Sequence, residues 1–253
     1  MHASEQTRPH WFRKLVRSFL KRYCGLLNRY TDLHVAFKPD FLSALNRTSD
    51  FDLLYREWVR QNPLNDRCDL TRLYMLYLQV ESLEKCGVEG AFAELGVFRG
   101  TTAKLFRLMA PSRELFLFDT FEGFSAEDVR RDAALSHART GAWAGSLAAV
   151  KAFVGEQNTR FIQGRFPETA AQVPPETRFA LMHLDADLYA PQLEGLRFFY
   201  PRMVPRATLI VHDCNNRYTG SRKALDEFLA DKPESPVFIP DKSGSAVLVR
   251  CNR

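Results

Sequence analysis

From residue 90 onward, short apolar runs alternate with segments in which apolar positions recur every three or four residues. The short runs predict strands at residues 91–95, 114–118, 160–162, 179–184, 208–211, 236–239 and 245–249. Strands that alternate with helices form a parallel sheet through right-handed crossovers. The last two runs are joined by a short turn containing Pro and Gly, which predicts a hairpin and an antiparallel final strand. The pattern therefore predicts an α/β fold with helices on both faces of a seven-stranded, mostly parallel sheet.

Helical periodicity occurs between these strands and before the first of them. Residues 71–86 carry apolar side chains at Leu73, Leu76, Val80 and Leu83, and Gly87 follows them as a C-terminal cap. The remaining predicted helices span residues 51–61, 101–109, 146–154, 167–172, 191–200 and 222–230.

A separate basic helix is predicted near the N-terminus. Residues 9–30 place apolar side chains at i, i+4 spacing, with Arg and Lys on the other faces. Residues 1–30 hold seven basic residues and one acidic residue, a net charge of +6, so the rest of the chain carries −1 and the overall charge of +5 comes from this segment. The helix either binds an acidic membrane surface or packs on the body of the protein or on a second subunit. We expect an extension over residues 1–45, a main domain over residues 46–253, and a homo-oligomer.

The cysteine content and the hydropathy of the chain predict that the protein is located inside the cell. The five cysteines are an odd number without a C-x-x-C pair, which argues against a zinc cluster and for a reducing compartment. No apolar run approaches the roughly 20 residues of a membrane span, and charges interrupt the segment that a signal peptide would need. We expect a cytoplasmic protein, peripheral to the inner membrane face if the basic helix binds lipid.

The first candidate site is the junction between the first strand and the following helix. Its pattern is E-x-G-x-x-x-G, with Glu94, Gly96 and Gly100. Gly96 permits a sharp turn close to a ligand, and Gly100 and Thr101 open a helix whose free N–H groups are available to that ligand. A carboxylate here would repel a pyrophosphate but suits the sulfonium and ammonium groups of S-adenosylmethionine. A purely structural turn is the alternative.

Polar residues also follow the second and third strands. Asp119 ends the second strand, where an acid can accept hydrogen bonds from ribose hydroxyls. A role for Asp119 as a helix N-cap alone is the alternative. Gln163 and Gly164 follow the third strand, where the edge of an adenine would lie. We therefore expect these three residues to bind the cofactor.

Acidic residues follow the fourth and fifth strands. Asp185 and Asp187 follow one strand, and His212 and Asp213 follow its neighbour. Parallel strands bring both groups to the same edge of the sheet, where ligands bind. Oxygen donors there suit Mg²⁺ or Mn²⁺, whereas His212 shifts the preference toward Mn²⁺, Fe²⁺ or Zn²⁺. We predict a divalent-metal site with Asp185, Asp213 and His212 as ligands, and we expect Asp185 to border the cofactor as well.

One long polar stretch, residues 122–145, interrupts the alternation of strands and helices. It contains His137, Trp143 and many charges, and it is too long for a routine connection. Long loops at a binding edge often close over the ligand. The stretch is therefore either a lid or a solvated insertion.

These sites, in this order, resemble the macrocin O-methyltransferase family, Rossmann-like class I methyltransferases that use a metal and act on sugar hydroxyls of bacterial natural products. The resemblance covers about residues 66–250. It is carried by AFAELGVFRGTTA, LFLFDTFEGF, FIQGRFPETA, MHLDADLY, LIVHDCNN, KALDEFL and IPDKSGSAVLVR. It implies that Glu94 and Gly96 line the methionine end of the cofactor and that Asp119 holds its ribose.

For the second half of the site, the resemblance implies that Asp185 and Asp213 bind the metal and that Asp187 is the general base. His212 stands where the family often has the first of two aspartates, and Cys214 replaces a tyrosine that is often found there. These two positions depart from the family pattern, and a role for His212 as a ligand does not follow from the resemblance.

The expected function is metal-assisted O-methylation by S-adenosylmethionine of a sugar hydroxyl in a glycoside, polysaccharide or natural product. The partner is then a small-molecule or glycan acceptor. A nucleic acid is not expected, because the main domain has no basic patch interleaved with aromatic residues and no N-P-P-Y motif. One alternative is a non-catalytic module that binds the cofactor and docks on a membrane or an assembly. Another is a nicotinamide-dependent enzyme, against which the charge of Glu94 argues.

Overall fold

The computed structural model describes Tyr23 and residues 69–132, 138–215 and 220–251. The chain divides into two units, Met1–Phe51 and Asp52–Arg253, and every described residue except Tyr23 belongs to the second unit. Tyr23 is helical and exposed. The rest of the predicted basic helix, and the helix predicted at residues 51–61, lie outside the described residues.

Seven strands form one sheet in the order β3-β2-β1-β4-β5-β7-β6. They are β1 (Ala91–Leu95), β2 (Leu115–Asp119), β3 (Thr159–Gln163), β4 (Phe179–Leu184), β5 (Met203–Val211), β6 (Val237–Ile239) and β7 (Ser245–Val249). The first five pair in parallel, whereas β7 runs antiparallel to both β5 and β6. The predicted class of sheet and its antiparallel last strand are therefore confirmed.

Six α-helices surround this sheet in the described part of the chain. They are α1 (Leu70–Lys85), α2 (Thr101–Met109), α3 (Ala126–Arg131), α4 (Leu147–Val154), α5 (Tyr189–Phe199) and α6 (Gly220–Leu229). The segment predicted as a helix at residues 167–172 is a 3₁₀ turn, Glu168–Gln172. Helix α3 is a single polar turn and a half inside the long polar stretch, and it has no apolar period that would have predicted it.

Helices cover the sheet on both faces. Buried residues of α1, α2 and α4 join one side of the core, and those of α5 and α6 join the other side. Strand β2 serves both, because Leu117 packs with the first group while Phe116 and Phe118 pack with the second. A strand that is buried on both faces is continuously apolar, which explains the short uninterrupted runs in the sequence.

The strand order places a ligand site between β1 and β4. The chain moves from β1 toward β2 and β3 on one side, and from β4 toward β5 on the other side. Ligands of open α/β sheets bind where this direction reverses, beyond the carboxyl ends of the strands. Among the described residues, no helix has the length and apolar character needed to cross a bilayer.

Phe199 at the end of α5 offers a test of this packing. Its ring is fully buried and makes edge-to-face contacts with Phe118 and Phe179 at centroid distances of 5.7 and 5.2 Å. We expect Phe199→Ala to lower the free energy of unfolding by about 3–5 kcal/mol, because a large cavity would remain. Chemical denaturation measures this loss. Phe199→Leu keeps most of the volume and should cost less, and equal costs for the two variants would contradict the packing described here.

Candidate active site

A cavity of about 730 Å³ opens at the carboxyl ends of the parallel strands. This volume lies within the range of small-molecule and cofactor sites. Most of the residues predicted from the sequence line it: Glu94, Gly96, Thr101, Asp119, Gly164, Asp185, Asp187, His212 and Asp213. Two of the predicted cofactor residues, Gly100 and Gln163, do not line the cavity.

Gly96 allows the ends of β1 and β4 to touch. Its backbone has φ +88°, and a Cβ atom there would lie 2.0 Å from the carbonyl oxygen of Asp185. The N–H of Asp185 donates to the carbonyl of Leu95 at 2.8 Å, which ties the two strand ends together. The glycine is thus required by the neighbouring strand as well as by any ligand in the cavity.

Gly100 and Gln163 both contact other parts of the protein outside the cavity lining. Gly100 is the left-handed N-cap of α2, and a Cβ atom there would lie 2.8 and 2.9 Å from side-chain carbons of Val154 and Val150. The exposed side chain of Gln163 donates to the carbonyl of Thr120 at 3.4 Å. Gly100 therefore permits close packing of α2 on α4, and its predicted contact with the cofactor stays a prediction.

Asp119 organises the loop that follows β1. Its Oδ2 accepts hydrogen bonds from the N–H groups of Val97 and Phe98, both at 2.7 Å, and its Oδ1 accepts one from Phe121 at 2.6 Å. A carboxylate has about four lone-pair sites, so Asp119 retains capacity for a ribose hydroxyl. The structure thus gives Asp119 a loop-fixing role beside its predicted contact with ribose.

Glu94 and His183 form a buried pair on neighbouring strands. Oε1 of Glu94 lies 3.0 Å from Nδ1 of His183, and neither residue has appreciable exposure. Burial raises the pKa of Glu94 well above its usual value, and the charge of Asp185 adds to this effect. Burial lowers the pKa of His183 to about 4, so the imidazole is neutral. A cationic group beside Glu94 would therefore stabilise its negative charge further than Arg72 and the N–H of Ala103 already do.

The predicted metal residues meet at the ends of β4 and β5. Nδ1 of His212 lies 2.8 Å from Oδ1 of Asp185 and 3.3 Å from Oδ2 of Asp213. One potential ligand atom from each of the three residues lies within 4.8 Å of the others. Burial by itself would raise the pKa of both aspartates, but the adjacent His212, together with further hydrogen bonds to Asp213 from Asp187 and Ser243, lowers both pKa values. The two carboxylates are thus ionised and face the same small volume.

Asp187 completes this carboxylate cluster. Its side chain hydrogen-bonds that of Asp213, and burial together with the nearby Asp213 raises the pKa of Asp187 well above its usual value. Two carboxyl groups in contact share a proton because both cannot be ionised without a cation. A divalent ion would take the place of that proton, and the oxygen donors are those that Mg²⁺ and Mn²⁺ prefer. The residues therefore fit the predicted ion.

The same two aspartates have unusual backbone conformations. Asp187 has φ +58° and Asp213 has φ +60°, both in the left-handed region. Aspartate tolerates this region better than most residues, but the conformation still costs on the order of 1 kcal/mol or more. Each residue lies just beyond the end of a parallel strand. The left-handed turns orient the segments after β4 and β5 so that the carboxyl groups of Asp187 and Asp213 meet.

Arg72 of α1 is a part of the site that the sequence reasoning missed. Its Nη1 lies 2.8 Å from Nε2 of His212 and 3.9 Å from Oδ2 of Asp185. Arg72 precedes Leu76 by four residues and Val80 by eight, so it lies on the buried apolar stripe of α1. A charged residue on an apolar stripe was the signal that could have revealed it.

The long polar stretch forms one wall of the cavity. Arg165 Nη2 lies 2.7 Å from Oδ1 of Asp128, which ties α3 to the loop after β3, and both residues line the cavity. Trp143 also lines it and contacts the ring of Phe98 edge-on at a centroid distance of 5.3 Å. His137 lies outside the described residues. The predicted lid function stays a prediction, but the stretch borders the site.

The sheet order, the antiparallel β7 and the cavity over the β1–β4 junction match the Rossmann-like fold of class I methyltransferases. Solved structures support this fold. The O-methyltransferase NovP aligns with a TM-score of 0.67 and 23% identity over 79% of this chain and 98% of NovP. The calicheamicin methyltransferase CalS11 aligns with a TM-score of 0.61 and 23% identity over 85% of this chain and 94% of CalS11.

The macrocin O-methyltransferase (TylF) family model matches residues 51–245, and the chain therefore belongs to this family. It is an O-methyltransferase that depends on S-adenosylmethionine. This finding confirms the predicted enzyme over the two alternatives, the non-catalytic module and the nicotinamide-dependent enzyme.

Two curated relatives align with the chain. The 8-demethyl-8-(2,3-dimethoxy-alpha-L-rhamnosyl)-tetracenomycin-C 4'-O-methyltransferase of Streptomyces olivaceus is 29% identical over 180 residues, covering 65% of this chain and 67% of that enzyme. The mycinamicin III 3''-O-methyltransferase of Micromonospora griseorubida is 30% identical over 160 residues, covering 57% of this chain and 63% of that enzyme.

The contact between Gly96 and Asp185 can be tested by adding a single methyl group. We expect Gly96→Ala to abolish measurable binding of S-adenosylhomocysteine in calorimetry and to lower the thermal midpoint, because a Cβ atom 2.0 Å from a carbonyl oxygen forces β1 and β4 apart.

Gly155→Ala is the matched control for that variant. Gly155 also has a positive φ, +95°, but nothing lies within 4 Å of its Cβ position. It should lose about 1 kcal/mol of stability from backbone strain alone and keep its affinity. Equal behaviour of the two variants would show that the strand contact has no special role.

Proposed function

We propose that this enzyme transfers the methyl group of S-adenosylmethionine to a sugar hydroxyl of a glycoside, polysaccharide or natural product, assisted by a divalent ion bound to Asp185 and Asp213. The observation that carries the proposal is the meeting of these two ionised carboxylates in the cavity wall, beside the loop of Gly96. The sugar acceptor is supported by the name of one curated relative, a rhamnosyl-tetracenomycin methyltransferase, and the other relative, a mycinamicin methyltransferase, is likewise an O-methyltransferase.

The chain provides separate surroundings for donor and acceptor. Gly96 and Thr101 border the donor end of the cavity, and Glu94 lies there as the acid that a cationic ligand would ionise. When bound, S-adenosylmethionine supplies a methyl group on a positively charged sulfur, and Mg²⁺ or Mn²⁺ supplies a Lewis acid that lowers the pKa of a coordinated hydroxyl. Asp185 lies at the boundary of both regions, which agrees with its two predicted contacts.

Asp187 is the proposed proton acceptor. Its carboxyl group lies against Asp213 and lines the cavity, within the set of residues that would surround the acceptor oxygen. Bound S-adenosylmethionine would supply the methyl group to the acceptor oxygen and would leave as a neutral thioether. With the ion in place of the proton that Asp187 otherwise shares with Asp213, Asp187 would be ionised and would accept the proton of the hydroxyl as general base. Atoms and charge balance, because one cationic donor and one neutral alcohol give a thioether, a methyl ether and a proton.

Aromatic rings form the wall on the acceptor side. Trp143 is 41% exposed and borders the cavity, supported edge-on by Phe98. Ligand sites commonly combine such apolar walls with a few polar groups that fix orientation. We propose that the C–H face of the acceptor sugar packs on Trp143, while its hydroxyls are directed to the carboxylate cluster.

Removal of single carboxylates tests the division of roles. We expect Asp185→Asn and Asp213→Asn to weaken Mn²⁺ binding, measured by the electron paramagnetic resonance signal of free Mn²⁺, and to abolish methyl transfer. Asp187→Asn should lower transfer at least about 100-fold, because the general base is lost, with a smaller effect on Mn²⁺ affinity. Transfer is measured with labelled S-adenosylmethionine and a panel of free and glycosidic sugars.

Binding of S-adenosylhomocysteine is the control for Asp187→Asn and Asp213→Asn, which are not expected to contact the cofactor, and should stay within a few-fold of the wild type. Chelation with EDTA should stop transfer by the wild type, and added Mg²⁺ should restore it. Full transfer in EDTA, or by both Asp185→Asn and Asp213→Asn, would disprove the assisting role of the ion.

We further propose that residues 9–30, which lie outside the described part of the chain apart from Tyr23, bind anionic lipid through their basic side chains. The full chain should then bind vesicles that contain phosphatidylserine, and added salt should weaken the binding. Replacing Arg13, Lys14, Arg17 and Lys21 with Gln should abolish it. Equal sedimentation of both proteins with these vesicles would disprove lipid binding. The expected homo-oligomer stays a prediction.

A further inference from the structure

Arg72 is held in place at the start of α1. Asp69 is the N-cap of this helix and accepts a hydrogen bond from the N–H of Arg72 at 3.2 Å. The same carboxylate lies 3.6 Å from Nε of Arg72, and both side chains are almost completely buried. The guanidinium is therefore fixed by its own helix end, and its charge is compensated by Asp69.

The contact of Arg72 with His212 determines which ring nitrogen carries the proton. A guanidinium has only donors, so Nη1 of Arg72 donates to Nε2 of His212 across their 2.8 Å contact. Burial lowers the pKa of His212, but Asp185 and Asp213 raise it well above its usual value, which favours a second ring proton. The donors of Arg72, 2.8 Å from Nε2, exclude that proton from Nε2. Nε2 is then the unprotonated nitrogen, and the proton lies on Nδ1. From Nδ1 the ring donates to Oδ1 of Asp185 at 2.8 Å, with Asp213 at 3.3 Å.

In this arrangement both ring nitrogens of His212 are engaged. The lone pair of Nε2 is occupied by Arg72, and Nδ1 has no lone pair because it carries the proton. A metal ligand must offer a free lone pair, so the imidazole is not available to an ion between Asp185 and Asp213. Only carboxylate oxygens of the cluster remain as donors from these strand ends.

We propose that Arg72 determines the metal preference of this enzyme by holding His212 as a hydrogen-bond donor to Asp185 and Asp213 and so keeping the imidazole out of the ligand set. The proposal deepens the function proposed above and rests on its divalent ion. Carboxylate and water donors favour Mg²⁺ and Mn²⁺, whereas an added imidazole favours Zn²⁺ and Co²⁺. Arg72 and His212 are then positioning residues, and the histidine does not contact the ion.

The first experiment reads the proton position directly in the wild-type chain. With ¹⁵N-labelled histidine, long-range ¹H–¹⁵N spectra separate protonated from unprotonated ring nitrogens, and His212→Asn assigns the signals. We expect Nδ1 protonated and Nε2 unprotonated, both before and after addition of Mg²⁺. A protonated Nε2, or a loss of the Nδ1 proton when Mg²⁺ binds, would overturn the proposal. Because this measurement needs no variant of Arg72, it decides the matter even if such variants do not fold.

The second experiment measures metal preference. Arg72→Met keeps the aliphatic part of the side chain but removes its donors, so Nε2 or Nδ1 of His212 becomes free to bind an ion. We expect the ratio of Co²⁺ to Mg²⁺ affinity, from competition calorimetry, to rise at least about tenfold, with a change in the visible absorption of bound Co²⁺. The double variant Arg72→Met, His212→Asn should return the ratio to near the wild-type value, since no imidazole remains.

Arg160→Met is the matched control. Arg160 is an exposed arginine on β3 that pairs with Glu114 and does not line the cavity. Its replacement should leave the ratio of Co²⁺ to Mg²⁺ affinity unchanged. An unchanged ratio in Arg72→Met, or an increase that persists without His212, would overturn the proposal. A wild type that binds Mg²⁺ and then fails either test disproves this inference alone, whereas a wild type that binds neither Mg²⁺ nor Mn²⁺ disproves the metal-assisted function itself.

Discussion

The contact between the ends of β1 and β4 is the constraint on which the rest of the site depends. Without a side chain at residue 96, the loop after β1 passes directly against the backbone of Asp185, and a hydrogen bond from Asp185 to Leu95 closes the contact. Asp119 then holds the same loop from β2. Three strand ends are thereby joined, and the wall for the cofactor and the wall for the carboxylates become one rigid edge.

This edge concentrates negative charge in a buried place, and neighbouring side chains compensate that charge. Arg72 and His212 face the ionised Asp185, while Asp187 keeps a proton against Asp213. Deeper in the sheet, Glu94 and the neutral His183 form a pair without net charge. The arrangement leaves the cluster ready to exchange a proton for a cation, since a change in one member is compensated by its neighbour.

Much of this architecture was predictable, because strands buried on both faces leave continuous apolar runs and the acidic residues follow them directly. The strand ends with Asp119, Asp185 and Asp213 were found in this way. Arg72 was missed because it comes from a helix outside the alternating pattern, and only the folded structure brings it to His212, 140 residues away. Gln163 does not line the cavity, because position after a strand does not specify where a side chain points, and its predicted contact with the cofactor stays a prediction.

The left-handed conformations of Asp187 and Asp213 have a consequence for how this enzyme changes under selection. Glycine at either position would relax the backbone, and asparagine would remove the repulsion between acids, so both replacements favour folding. Both also remove a carboxylate that the reaction is proposed to need. Laboratory evolution for heat resistance alone would therefore tend to select inactivating replacements at these two positions first. Screens for heat-resistant variants should include an activity criterion from the first round.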